Sequence, residues 1–485
     1  MKKTLLKVLL IATLILAIFV LAGCGNSKCK VTITNDDAAG SLMVADIEGN
    51  LVAECEKNTT LYVYVDTIGN NILDTLTING EDVKANLVDG MVEVQATGNL
   101  NIAATYYDRA TDPILEERRN MADAAVREMV GTVFTYDKDY TYTLMFKPYE
   151  IKAGQYYRGL PYSNYSSTTL HSFMAAGTGK YDENGVYIMG GDKFVNRWEL
   201  ILGNSCADLV YWAWSTFGNS FNFRYVAETT QKRGALRLGN YVYDRDVYVD
   251  TKVACADNGY DVMYGSYALL LKGDAAMNHF NGSGHAIFIA DNVVEYMADG
   301  SIDPDSSHII YHDQNGAYMD CEVEVGGKTV KALTSTCMDA KKSYSQMFNE
   351  GYLPVTCLEL IDRNAPVEDV EFTDSVTEYN KSNLLKGTIK CNYYMSDYKM
   401  TITDKSGNVV QEAFRHSQEQ NHKDFDVELF KSLRQENCDQ NFDQYGKDDK
   451  IDPNALPAGE YHCTLTIYTI KGNEEHVVRD FDFTV

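Results

Sequence analysis

A nucleophile placed at the tip of a helix is the first chemistry this sequence offers. In residues 203–218, GNSCADLVYWAWSTFG, Ser205 is a favourable N-cap, Asp208 follows as the reciprocating acid of a capping box, and Gly218 supplies a stop. Cys206 then takes the first helical position, where backbone N–H groups and the positive end of the helix dipole favour thiolate over thiol. Leu209, Val210, Ala213, Trp214 and Phe217 recur at helical spacing and predict an apolar face against a core. Most cysteines in apolar segments are inert packing residues. The cap, the helix-start position and a histidine downstream set this one apart.

That histidine is His285, in GSGHAIFIA at residues 282–290, which puts an imidazole at the start of an apolar strand just after a glycine turn. His279 precedes the turn and is the poorer base. A following strand, SHIIYHDQNG at residues 307–316, offers His312 or Asp313 to orient the ring. Neighbours on a regular strand face opposite sides, so only one of the two can serve. Asp313 is favoured, because a carboxylate both orients and stabilises an imidazolium. Upstream, Tyr162 in GLPYSN belongs to a tyrosine-rich turn that suits the wall of a cleft. Together these residues describe amide cleavage: a thiolate attacks the carbonyl, His285 carries a proton to the leaving amine, and the third group fixes the ring. Backbone N–H groups at the start of the helix stabilise the developing oxyanion.

The elements that must position these groups fall in the middle of a chain of 485 residues, long enough for about three domains. Residues 30–107 alternate apolar and polar residues in short runs such as LYVYVDT and MVEVQA, separated by turns, which predicts a small all-β module. A helix is expected over residues 114–130. From residue 366 the β alternation returns, with a hairpin about Ser406-Gly407, and an immunoglobulin-like sandwich is the expected form. The domain reading is therefore residues 1–24, 25–109, 110–364 and 365–485.

The first of these segments has Lys2, Lys3 and Lys7 around an apolar run that ends in Leu21-Ala22-Gly23-Cys24. This is the pattern of an export signal closed by a lipobox, with Cys24 as the lipidated first residue of the mature chain. An uncleaved membrane anchor is the competing reading, and the run is barely long enough for it. Either way the expected place is the outer face of the cytoplasmic membrane. A net charge of −26 argues against nucleic acid as a partner. Export permits disulfides, and Cys29 with Cys55, Cys321 with Cys337, and Cys391 with Cys463 are candidates by domain membership; the alternative is an anaerobic cell that leaves them all reduced. No zinc-binding spacing occurs, and the acidic residues Asp439, Asp443, Asp448, Asp449 and Asp452 read as a solvated insertion rather than a calcium loop. No metal or cofactor is expected.

The order of Tyr162, Cys206, His285 and a polar residue near His312 resembles the NlpC-type papain-like cell-wall peptidases and their CHAP amidase relatives. GLPYSN, GNSCADLVYWAWSTFG and GDAAMNHFNGSGHAIFIAD carry the resemblance, which covers about residues 112–362. It implies an α+β papain-like domain whose helix carries the cysteine and whose antiparallel sheet carries the histidine, between two all-β modules of immunoglobulin-like or repeat type. It also implies peptidoglycan stem peptides or cross-bridges as substrate, with Cys206 as nucleophile, His285 as base and Tyr162 on the substrate or oxyanion. The NlpC pattern maps the third position best onto His312, whereas Asp313-Gln314-Asn315 resembles the Glu-Gln-Asn segment that ends the CHAP pattern. Ser205 and Ala207 depart from the family's usual Asp before and Ser after the nucleophile. A catalytically inactive surface binding or adhesion lipoprotein, engaging a partner through its β modules, is the rival expectation.

Overall fold

The computed structural model describes residues 28–144, 147–163, 168–190, 202–218, 234–244, 247–280, 282–416, 423–431, 450–469, 471 and 474–485. Cys24, Cys438 and the acidic residues 439–449 lie outside them. Strand at 45% against helix at 18%, in several sheets, makes the class α+β. The chain divides into two compact units, Met1–Asp108 and Arg109–Val485. Among the described residues no helix is long and apolar enough to cross a membrane.

In the first unit, alternation in the sequence becomes two sheets of five and three strands. Thr60–Thr67 buries Leu61 and Val63, with Val65 packed beside them, and Leu76, Leu100 and Ile102 belong to the same core. Lys28–Thr34 pairs parallel with Leu100–Asp108 and antiparallel with the three-residue strand Glu54–Glu56.

The second unit is organised on a ten-stranded sheet. Its centre is antiparallel: Ala275–Phe280, Ser283–Val293, His308–Val325 and Lys328–Ser343 follow one another. Side chains along Ser283–Val293 alternate between two cores. Ala286 and Phe288 pack with the helices Pro113–Gly131 and Cys206–Ser215, while Ile287 and Ile289 pack with Thr251–Asn258, Tyr260–Tyr267 and Tyr344–Glu350. The sheet is therefore covered by helices on both faces. Pro113–Gly131, expected over residues 114–130, starts where Asp112 caps it by accepting from the N–H groups of Ile114 and Leu115, both at 3.1 Å.

Arg109 ties the start of this unit to the sheet. Its guanidinium is 1% exposed and grips Asp274 through both terminal nitrogens, at 2.7 and 3.1 Å, and also donates to Leu269 O at 2.9 Å. Removing one partner of a buried pair strands the other charge. Arg109→Met is accordingly expected to cost about 3–5 kcal/mol. A urea unfolding curve checks it, and an unchanged midpoint would contradict the structural role.

Residues beyond 365 form two further antiparallel sheets, one of three strands through Thr388–Cys391 and one of four through Met395–Asp404 and Glu460–Thr469. Tyr398 and Phe425 stack between them with ring centroids 3.6 Å apart. The expected hairpin about Ser406-Gly407 is present, with Gly407 at φ +82°. One apolar core runs from the Cys206–Ser215 helix into these sheets.

The nine described cysteines are free thiols. Pairing of Cys321 with Cys337 is corrected by strand register: Cys321 lies opposite Ala332, and Cys337 lies opposite Asp313, several residues along the same ladder. Cys391 and Cys463 lie in different sheets.

Candidate active site

The helix Cys206–Ser215 begins as its sequence dictates. Asp208 N–H donates to Ser205 Oγ at 3.3 Å, and Ser205 N–H donates to Asp208 Oδ2 at 2.9 Å, so the capping box closes. Ser205 Oγ also donates to the same carboxylate at 2.7 Å. The expected apolar face, Leu209, Val210, Ala213, Trp214 and Phe217, is buried, but so is every other residue of the helix. A helix apolar all round belongs inside. Trp214 Nε1–H donates to Gly273 O at 2.7 Å, which fixes the helix against the turn before Ala275–Phe280. Cys206 itself is 6% exposed.

His285 comes to this helix from the sheet. Phe280 and Ser283 are partners across a two-residue connection in which Gly282 takes φ +76°, a conformation that glycine adopts without strain. His285 is therefore the third residue of its strand. Its Nε2 lies 2.9 Å from Asp313 Oδ2, and its side chain also interacts with Cys206. Burial works against charging the ring. The hydrogen bond to Asp313, then the hydrogen bond and charge of Cys206, outweigh it and hold the His285 pKa up at about 10. The imidazole is thus poised to carry a proton at neutral pH, with 29% of the side chain exposed.

Of the two candidates for the third position, Asp313 is the one beside His285. Its other oxygen accepts the Cys337 N–H at 3.2 Å, so strand pairing aims the carboxylate. His312 has other partners, fully buried and stacked on Phe288, with its Nε2 3.7 Å from Asp123 on the Pro113–Gly131 helix. Its Nδ1 accepts the Asp339 N–H at 3.2 Å. His312 as a site residue is corrected on that ground: its ring is engaged by Phe288, Asp123 and the Asp339 N–H, and it is Asp313 that holds His285. His279 is also elsewhere, with its ring nitrogen 3.0 Å from Val249 O.

Tyr162 is brought to Cys206 by backbone. It bridges Asn204 in parallel, Asn204 N–H donates to Pro161 O at 3.0 Å, and Ser163 N–H donates to Asn204 O at 2.9 Å. The approach is so close that a Cβ on Gly203 would lie 2.0 Å from Pro161 O, which only glycine avoids. Burial first, then the charges of Cys206 and Asp208, push the Tyr162 phenol well above its ordinary pKa, so it remains a donor.

Three further residues belong to the surroundings of the site. Asn278, cross-strand partner of His285, accepts the His285 N–H at 3.0 Å and donates to Glu350 O at 3.1 Å. The Cys337 thiol is pushed up to about 12 by burial and then by Asp313, which keeps it protonated beside that carboxylate. Tyr352 is raised by burial, then by a group of neighbours that includes Asp313 and Cys206. Gly282 ahead of the His285 strand was the available signal for Asn278; the other two are joined to the site only by tertiary packing.

Among the described residues no group of three or more His, Cys, Asp and Glu side chains is arranged to hold a metal ion. The arrangement can perform nucleophilic attack by sulfur with proton transfer through a carboxylate-oriented imidazole. No protein-family model matches the chain, and no curated protein matches it.

Proposed function

We propose that the chain is a surface-anchored cysteine hydrolase that cleaves amide bonds in the peptide part of peptidoglycan. In this reading residues 110–364 form a papain-like domain of NlpC or CHAP type, the flanking β modules hold it near a surface partner, and a lipid on Cys24 ties it to the membrane. One observation carries the reading: Cys206, at the start of a capped helix, interacts with His285, whose Nε2 is 2.9 Å from Asp313.

The Cys206 sulfur adds to the carbonyl carbon, and N–H groups of the helix start, with Tyr162 OH, receive the oxyanion. His285 then gives its proton to the leaving nitrogen as the C–N bond breaks, which leaves a thioester on Cys206. Water, deprotonated by the now neutral His285, cleaves that thioester and restores the starting pair. With a net charge of −26, attraction to anionic wall polymers plays no part in recruitment. Incubation of purified walls of different cross-link chemistry with the full chain is expected to release new amino and carboxyl termini at one kind of peptide bond, identified by mass spectrometry. Walls that yield no new termini sink the proposal.

A second reading, an inactive surface binding lipoprotein on the same fold, is favoured by one observation: Cys206 keeps only 6% of its surface. Alkylation separates the two, since a thiol activated by His285 reacts far faster near pH 6 than an ordinary one.

A further inference from the structure

Cys29 and Cys55 are set face to face by backbone. They are partners in the antiparallel pairing of Lys28–Thr34 with Glu54–Glu56. Directly opposed residues of such a pair have Cα atoms about 4.5–5.5 Å apart, within the roughly 4.4–6.8 Å that a disulfide spans. The register is well fixed: Lys28 opposes Glu56, Lys30 opposes Glu54, and Val31 N–H donates to Ala53 O at 2.9 Å. Cys29 is buried, its thiol donating to Ala96 O at 3.5 Å, while Cys55 is half-exposed. Neither of the other two pairings considered above has this opposition.

We propose that Cys29 and Cys55 form an intramolecular disulfide when the chain meets a disulfide oxidant. The exposed Cys55 thiolate attacks one sulfur of the oxidant and expels a thiolate, giving a mixed disulfide. The Cys29 thiolate then attacks the Cys55 sulfur and expels the second. Two protein thiols lose two electrons and two protons, and one oxidant disulfide becomes two thiols. The bond staples the first described strand to its short edge neighbour. If Cys24 is the point of lipid attachment, as the functional reading has it, a pull on the anchor reaches this strand first and the staple shares the load with the hydrogen-bonded ladder. The chemistry itself does not depend on that reading.

The test uses the full chain, reduced and then equilibrated with oxidised glutathione at pH 8.5. Expected are a product two hydrogens lighter, a Cys29–Cys55 cross-linked peptide in a non-reduced digest, and a melting transition of the N-terminal unit raised by at least about 5 °C. Cys55→Ser loses the cross-link and the shift. Cys29 and Cys55 both remaining alkylatable, either one cross-linked to a different cysteine, or a bond that lowers the transition would each overturn the staple. Wall hydrolysis is measured on the same samples, so failure here and failure of the hydrolase reading are told apart.

Discussion

Cys206→Ala is expected to lower release of new termini from purified walls by at least about ten-thousandfold, with the fold intact. The size follows from what the thiol does: it makes and breaks the bond to the acyl group, so neither the helix nor His285 has anything to act through without it. Ser205 is one residue away but is no substitute, because its hydroxyl accepts from Asp208 N–H and donates to Asp208 Oδ2 at 2.7 Å. Removal of a single sulfur from the start of a capped helix leaves the capping box and the core behind it in place. Circular dichroism and the urea midpoint should therefore match the parent. A Cys206→Ala chain that still cuts walls would place the nucleophile elsewhere and end the assignment.

The parts of this site that could be read from sequence are those whose cause is local. A cap at Ser205, an acid three residues on and a cysteine between them fix the helix start through hydrogen bonds among neighbours, and the box closes as read. The histidine strand was legible for the same reason, since a glycine turn precedes it and apolar alternation follows. Reading across strands is harder. Asp313, favoured over His312 for its carboxylate, is the one beside His285, but the ladder shifts register between Tyr311 and Asp313, so distance along the strand alone does not give the pairing. The Cys321–Cys337 pairing fails on a turn that the sequence itself carries. Gly326 and Gly327, at φ +56° and +75°, reverse the chain between Val325 and Lys328. Counting outward from that reversal sets Cys321 against position 332 and excludes Cys337. Asn278 is a further case: its role exists only because the strand before the turn lies beside His285.

The second large effect concerns Asp313, and it is read in pH. With Asp313 present the His285 ring is held up at about 10, so the imidazolium that donates to the leaving amine persists through neutrality. Asp313→Asn keeps an oxygen for hydrogen bonding but removes the charge, and the ring falls below about 10 while the hydrogen bond and charge of Cys206 still hold it up. Hydrolysis at pH 7.5 is expected to drop by about a hundredfold to ten-thousandfold, by analogy with other carboxylate-oriented histidines. The alkaline limb of the rate profile moves down from near pH 10. The same shift bears on stability with a definite sign. A group whose pKa is higher in the folded chain contributes stability fully at pH below its unfolded value, and loses it as pH rises through the folded value. The parent should therefore lose the His285 contribution between about pH 6.5 and 10, and Asp313→Asn should lose much less over that interval. Urea midpoints for both proteins from pH 6 to 10 measure this directly. A rate profile whose alkaline limb does not move would mean that Asp313 orients the ring without holding its proton.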